Sequence, residues 1–108
     1  MFIGIETLQL GDMVNFNLKE KYYKMYLKGK KKDEYRHATE YWHRRIPKLK
    51  QGDKVKLVKG YTKEYLEADV IDWYLITGDM LPGYLKWIMD KNSLWYKISL
   101  DNIKKPCG

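Results

Sequence analysis

The chain has 108 residues, a length that suits one domain and allows a hydrophobic core without help from a metal or a disulfide bond. Hydrophobic residues make up 44% and aromatic residues 15%, a composition that excludes a disordered polypeptide. The net charge is +7, and it is unevenly placed: residues 19–50 hold 12 Lys and Arg against 4 Asp and Glu, or +8, whereas the rest holds 9 against 10, or −1. We name residues 19–50 the basic stretch. Such a stretch favours partners that carry phosphate groups.

Several classes of protein are not expected from this sequence. No apolar run is long enough to span a membrane, and no signal peptide opens the chain. The single cysteine, Cys107, forms no internal disulfide bond, so we expect a reducing, cytoplasmic location. His37 and His43 lack ligand spacing, and we expect neither a metal nor a cofactor.

The first half of the chain predicts a strand, a helix and a charged strand. Residues 1–12 are interpreted as a short extra strand or arm that precedes the domain proper, residues 13–106. Alternating apolar residues predict a strand over 13–18, and apolar residues at helical spacing predict a helix over 19–28. Gly29 stands where a helix needs a left-handed residue to end. Residues 30–38 are predicted to be extended.

The second half predicts further strands and one more helix. Thr39 is expected to cap a short helical turn that Pro47 ends. Strands are predicted over 54–59, 65–76 and 94–100, and a helix over 81–91 with Pro82 in its first turn. From residue 102 onwards the end of the chain is basic, and residues 107–108 are interpreted as a tail. The predicted fold class is α+β, with a mostly antiparallel sheet that closes into a small β-barrel flanked by two helices.

The charged strand supplies the first candidate site residues. Glu34 and Arg36 are two apart, so both side chains point to one face of the strand, and Lys31 stands close before them. An arginine held by a glutamate presents its remaining donors in a rigid fork that suits a phosphate or a base edge. The alternative is an ion pair that only orders the structure.

The short helical turn supplies the second set of candidates. Tyr41 or Trp42 offers a ring on which a base could stack, while Arg44 and Arg45 reach phosphates. Trp42 could equally anchor this segment to the core, together with Ile46 four residues later.

Gly29, Lys31, Glu34 and Arg36 stand as G-x-K-x-x-E-x-R after an aromatic-rich helix, and this pattern resembles that of the ASCH domain, a member of the PUA-like superfamily. Residues 15–18 resemble the first barrel strand of that family, 49–58 with Gly52-Asp53 a later strand entry, and 95–106 the closing strand. The resemblance spans residues 13–106. It implies a PUA-like barrel with a cleft lined by Lys31, Glu34 and Arg36.

The resemblance also implies what the domain could do. PUA-like relatives commonly handle RNA, and some ASCH-like proteins are enzymes. One bacterial branch hydrolyses N4-acetylcytidine with a lysine, a threonine and a glutamate, and another is described as a ribonuclease. Lys31 matches the lysine of the first branch, but Glu34 stands at its threonine position.

Three hypotheses follow. The leading one is a domain that binds nucleic acid, RNA before DNA, or a nucleotide, through the basic stretch and the Lys31, Glu34 and Arg36 cleft. The second is a small hydrolase of a modified nucleoside or of RNA, with Glu34 as general base and Lys31 as electrostatic stabiliser. The third is a phage or bacterial interaction protein whose basic face binds an acidic protein.

Overall fold

A computed structural model describes residues 13–106 of the chain. The predicted strand or arm at 1–12 and the predicted tail at 107–108 lie outside the described residues. Within them the main elements are β1 (Asn15–Leu18), α1 (Glu20–Leu27), β2 (Asp33–His37), α2 (Glu40–His43), β3 (Lys54–Lys59), β4 (Tyr65–Thr77) and β5 (Leu94–Lys104).

The five strands form one curled sheet, a half-barrel, in the order β1-β3-β4-β5-β2. The β1–β3 pair is parallel and the other three pairs are antiparallel. The prediction of an α+β fold with a mostly antiparallel sheet is therefore confirmed, but the second helix is the short turn α2 and not the predicted segment 81–91. The predicted closure of the sheet into a barrel is not confirmed by hydrogen bonds, because β1 and β2 stand at opposite ends of the strand order. We call the gap between these two strands the seam.

The main core fills the concave side of the sheet. Alternate residues along each strand point inwards, as the period of a strand requires, and α1 adds Tyr23 and Tyr26 from its apolar stripe. The most deeply buried side chains include Phe16, Ile46, Val55, Leu57, Leu66 and Ile98.

A second, smaller cluster lies outside this core, where the β4–β5 connection folds back. It contains the buried residues Ile76, Leu81 and Leu85. The prediction of a helix over 81–91 is wrong: the connection forms only two short 3-10 turns, Gly78–Met80 and Gly83–Leu85. Pro82 cannot donate a backbone hydrogen bond and Gly83 is a poor helix former, so burial of Leu81 and Leu85 is achieved by one tight turn instead.

The end of α1 determines where the charged strand begins. Gly29 has φ 71°, the left-handed conformation predicted from its position. The Lys30 N–H reaches back to the Met25 carbonyl at 2.9 Å, which closes the end of the helix. The chain then reverses direction and brings Lys31 beside the helix that it has just left.

The last strand is longer than predicted. It continues to Lys104 rather than ending at residue 100. Asn102 adopts φ 51°, and its side-chain amide donates to Asp69 Oδ2 at 2.8 Å, which holds the irregular end of β5 against β4. Within residues 13–106, the helices fall short of the length and apolar character needed to cross a membrane.

Candidate nucleic-acid interface and buried charge cluster

Lys31 is a buried lysine, with only 6% of its surface exposed. Its Nζ donates to the Asp33 carbonyl oxygen at 2.6 Å and to Tyr84 Oη at 2.7 Å, and lies 3.6 Å from Glu34 Oε1. These three oxygens match the three protons of an ammonium group. The charge is therefore held by a nearly complete set of partners within the protein.

Aromatic rings complete the surroundings of Lys31. Its Nζ lies 5.0–5.8 Å from four ring centroids, those of Tyr22, Tyr26, Tyr35 and Tyr84. Burial lowers the pKa of Lys31, and the nearby Glu34 carboxylate opposes part of that effect. Burial also raises the pKa of Tyr26 and Tyr84, so both hydroxyls stay protonated; Tyr26 donates to Glu34, and Tyr84 accepts from Lys31.

Glu34 is the centre of the charged group, and it is 4% exposed. Its Oε1 accepts from Tyr26 Oη at 2.8 Å. Its Oε2 accepts from Arg36 Nε at 2.9 Å and lies 2.8 Å from a second guanidinium nitrogen. The structure thus brings Lys31, Glu34 and Arg36 together as the sequence predicts, with the carboxylate between two cations. We call these three residues the charge cluster.

Arg36 carries the charge cluster across the seam. It belongs to β2, yet its guanidinium donates to the Asn17 carbonyl oxygen of β1 at 2.8 Å. Its central carbon lies 5.2 Å from the ring centroids of both Phe16 and Trp42. The Arg36 side chain therefore joins β1 and β2, the two edge strands, which do not pair with each other. Glu34 fixes the orientation of this side chain.

Trp42 packs inwards and is partly buried against the core. Its ring stacks on Phe16, with centroids 5.2 Å apart and planes 23° apart. Of the two interpretations of Trp42, the structure supports the one in which it anchors the segment after β2. Ile46, fully buried, anchors the same segment.

Tyr41, Arg44 and Arg45 point elsewhere, into an open groove of about 990 Å³ between the start of β1 and the segment that follows α2. The Arg45 guanidinium lies 3.6 Å from the Tyr41 ring centroid, and the Tyr41 side chain is largely exposed. Arg44 pairs with Glu40 at 2.9 Å on the surface. The sequence-predicted site residues thus divide between the buried charge cluster and this groove.

Basic side chains dominate the groove. Five cationic residues line it against the single carboxylate of Asp53: Arg44, Arg45, Lys48, Lys50 and Lys54. We call this feature the basic groove. Lys54 is paired with Asp69 at 2.9 Å, whereas Lys48 and Lys50 make no ion pair with any residue in 13–106. A groove that holds exposed cations without an acidic partner in residues 13–106, together with an exposed aromatic ring, can bind a chain of phosphates.

Sequence reasoning missed several of these residues. The sequence does not distinguish Lys48 and Lys50 from the other lysines of the basic stretch, and it marks Lys54 only as part of the predicted strand 54–59. Tyr84 lies 53 residues from Lys31, and no local pattern links the two. Asn15 enters the groove only because β1 is an edge strand.

Neither a metal site nor a known relative adds to this description. Among residues 13–106, no three His, Cys, Asp or Glu side chains are grouped so that they could hold a metal ion. Neither a protein-family model, nor a curated protein, nor a solved structure matches the chain.

Proposed function

We propose that this domain binds nucleic acid, with RNA favoured over DNA, and that the basic groove is the surface that contacts it. The observation that carries the proposal is the lining of the groove, five cations against one carboxylate around an exposed tyrosine. Phosphate contacts of this kind provide affinity that depends little on sequence and steeply on salt.

The balance of charge favours a polymer over a single phosphate. Lys48 and Lys50 are exposed, unpaired within the described residues, and follow one another around the buried Leu49. The groove has a volume of about 990 Å³, which is far more than one phosphate group fills. Cations spread along such a groove are suited to successive phosphates of one strand.

The charge cluster has a supporting role in this proposal. Lys31 and Glu34 are buried and engaged by protein groups, so they offer a ligand few free donors or acceptors. Arg36 joins β1 to β2 and so fixes the wall of the groove that β1 provides. The resemblance to ASCH domains, which implies a PUA-like barrel and RNA as partner, is itself part of the proposal.

The test is a titration of the protein with a fluorescent single-stranded RNA at two or more salt concentrations. We expect tight binding at low salt that weakens as salt rises. In Lys48→Gln/Lys50→Gln the dependence of log K on log salt should become shallower by about 0.7 for each phosphate that the protein no longer neutralises, or roughly 1.4 in total.

The matched control is Lys63→Gln/Lys91→Gln, which removes the same charge from exposed lysines outside the groove. If the control lowers the salt slope as much as the groove variant does, net charge rather than the groove binds the RNA. If the protein instead retains an acidic protein after nuclease treatment and binds no RNA, the third hypothesis replaces this one.

One observation favours a hydrolase as a second candidate. The pKa of Lys31 is lowered by burial, and the neighbouring Tyr22 hydroxyl is buried without a partner among residues 13–106. The Tyr22 hydroxyl could bond to a small polar molecule, whereas the three protons of Lys31 already have partners in the protein. Glu34, whose oxygens already accept from Tyr26 and Arg36, is poorly placed as a general base. Incubation with N4-acetylcytidine or labelled RNA, followed by chromatography, tests this candidate, and absence of product removes it.

A further inference from the structure

The outer edge of β1 faces away from the sheet. The Val14 carbonyl accepts from the Lys56 N–H at 3.0 Å, and the Leu18 carbonyl accepts from the Gly60 N–H at 2.8 Å, both towards β3. Because the backbone groups of a strand alternate in direction, those of Asn15 and Asn17 point the other way. The bond from Arg36 to the Asn17 carbonyl agrees with this alternation.

Asn15 therefore presents a donor and an acceptor side by side to the basic groove. Its backbone N–H and C=O point away from β3, its side chain is exposed, and the residue lines the groove together with Tyr41. Its carboxamide makes no hydrogen bond to any side chain or backbone group in the part of the chain that the structure describes. A peptide edge and a carboxamide can both bond to the donor–acceptor pattern of a nucleobase.

Tyr41 provides the second element, a partly exposed aromatic ring in the same groove. It is 54% exposed, and Arg45 covers part of its ring at 3.6 Å. Bases stack on tyrosine rings and on arginine planes, and this stacking tolerates any sequence. A duplex, whose bases are already stacked and paired, cannot use an exposed ring and a peptide edge that has no partner within residues 13–106.

We propose that the basic groove selects single-stranded nucleic acid by holding one unpaired base, stacked on Tyr41 and hydrogen-bonded at its edge to Asn15. This inference rests on the proposed function and adds to it: the lysines bind phosphates, and Tyr41 with Asn15 distinguishes a strand with accessible bases from one without. The preference is for unpaired over paired bases.

The experiment compares three ligands of equal length and charge per strand: a single-stranded RNA, its duplex, and a ribose-phosphate oligomer without bases. We expect the wild-type protein to bind the first most tightly. Tyr41→Ala should weaken that binding by about 5- to 150-fold, the range measured for loss of one stacked base, with an unchanged salt slope. Asn15→Ala should weaken it less, because the backbone edge remains.

Tyr61→Ala serves as the control, since Tyr61 is 96% exposed and lies outside the groove; it should leave all three affinities unchanged. Circular dichroism confirms that each variant is folded. Equal affinity of the wild type for the RNA and the base-free oligomer, with a steep salt slope, would overturn this inference and leave the proposed function intact. No binding of any of the three would overturn both.

Discussion

Replacement of Glu34 by glutamine tests whether the charge cluster holds the fold together. The substitution preserves the volume of the side chain and removes its charge, so Lys31 and Arg36 no longer have the carboxylate that lies 3.6 Å and 2.8 Å from them. The new amide group must also face a donor, either Tyr26 Oη or the guanidinium. Because Glu34 is only 4% exposed, solvent compensates little for the missing charge.

Removal of one partner from a buried ion pair costs about 3–5 kcal/mol, against a total stability of about 5–15 kcal/mol for a typical domain. We therefore expect the free energy of unfolding of Glu34→Gln to fall by about 3–5 kcal/mol in urea denaturation followed by circular dichroism. Glu40→Gln is the matched control, since Glu40 pairs with Arg44 at 2.9 Å but both side chains are more than 70% exposed. The control should cost less than about 0.5 kcal/mol. Equal decreases for the two variants would refute the reasoning.

Two further predictions concern the β4–β5 connection and the pH dependence of stability. In Gly78→Ala the new methyl group would overlap the Asp90 carbonyl oxygen and approach Ser93 Oγ at 2.7 Å, so the free energy of unfolding should fall by about 1–3 kcal/mol. Gly83 has open space at the corresponding position, so Gly83→Ala should change the free energy of unfolding by under about 0.5 kcal/mol. Urea denaturation measures both, and equal effects would contradict the packing argument. Burial lowers the pKa of Lys31 in the folded state, whereas a lysine in the unfolded chain keeps its ordinary pKa of about 10.4. As the pH rises towards about 10.4, the unfolded chain therefore binds more protons than the folded chain, and the free energy of unfolding rises. Lys31→Met should lack that rise as the pH approaches about 10.4, and identical pH profiles of the variant and the wild type would exclude a lowered pKa.

Local patterns predicted the part of the fold that depends on near neighbours. The helix before Gly29, the left-handed glycine and the shared strand face of Glu34 and Arg36 all follow from residues within a few positions of one another. The same holds for β3, whose predicted bounds match the structure, and for the cap in which Thr39 Oγ1 accepts from the Trp42 N–H.

Contacts between distant residues could not be predicted in this way. Tyr84 reaches Lys31 from a segment that was predicted to be helical, and Arg36 reaches Asn17 across the seam. Both contacts depend on how far the sheet curls, which is determined by the sum of its twists and bulges rather than by any one stretch of sequence. The resemblance to ASCH domains implies a cleft lined by Lys31, but it does not indicate that tyrosines surround that lysine.

The division of charges between the charge cluster and the basic groove has a physical basis. A cation that is buried and bonded to protein groups, such as Lys31, has released its water and has few donors left for a phosphate. An exposed cation without a partner among residues 13–106, such as Lys48, contributes almost nothing to folding and remains available to a ligand. The same residue type therefore serves stability in one place and binding in the other.

This division makes the two roles separable by experiment. Lys48→Gln/Lys50→Gln should weaken RNA binding while the free energy of unfolding stays within about 0.5 kcal/mol of the wild type. Glu34→Gln should lower the free energy of unfolding by several times that limit of about 0.5 kcal/mol. Molecules of this variant that remain folded should keep the salt slope of the wild type, because the groove lysines are unchanged. If folded Glu34→Gln showed no salt-dependent affinity, the charge cluster would itself have to contact the phosphates, and the ligand would lie in the cleft beside α1 rather than in the basic groove.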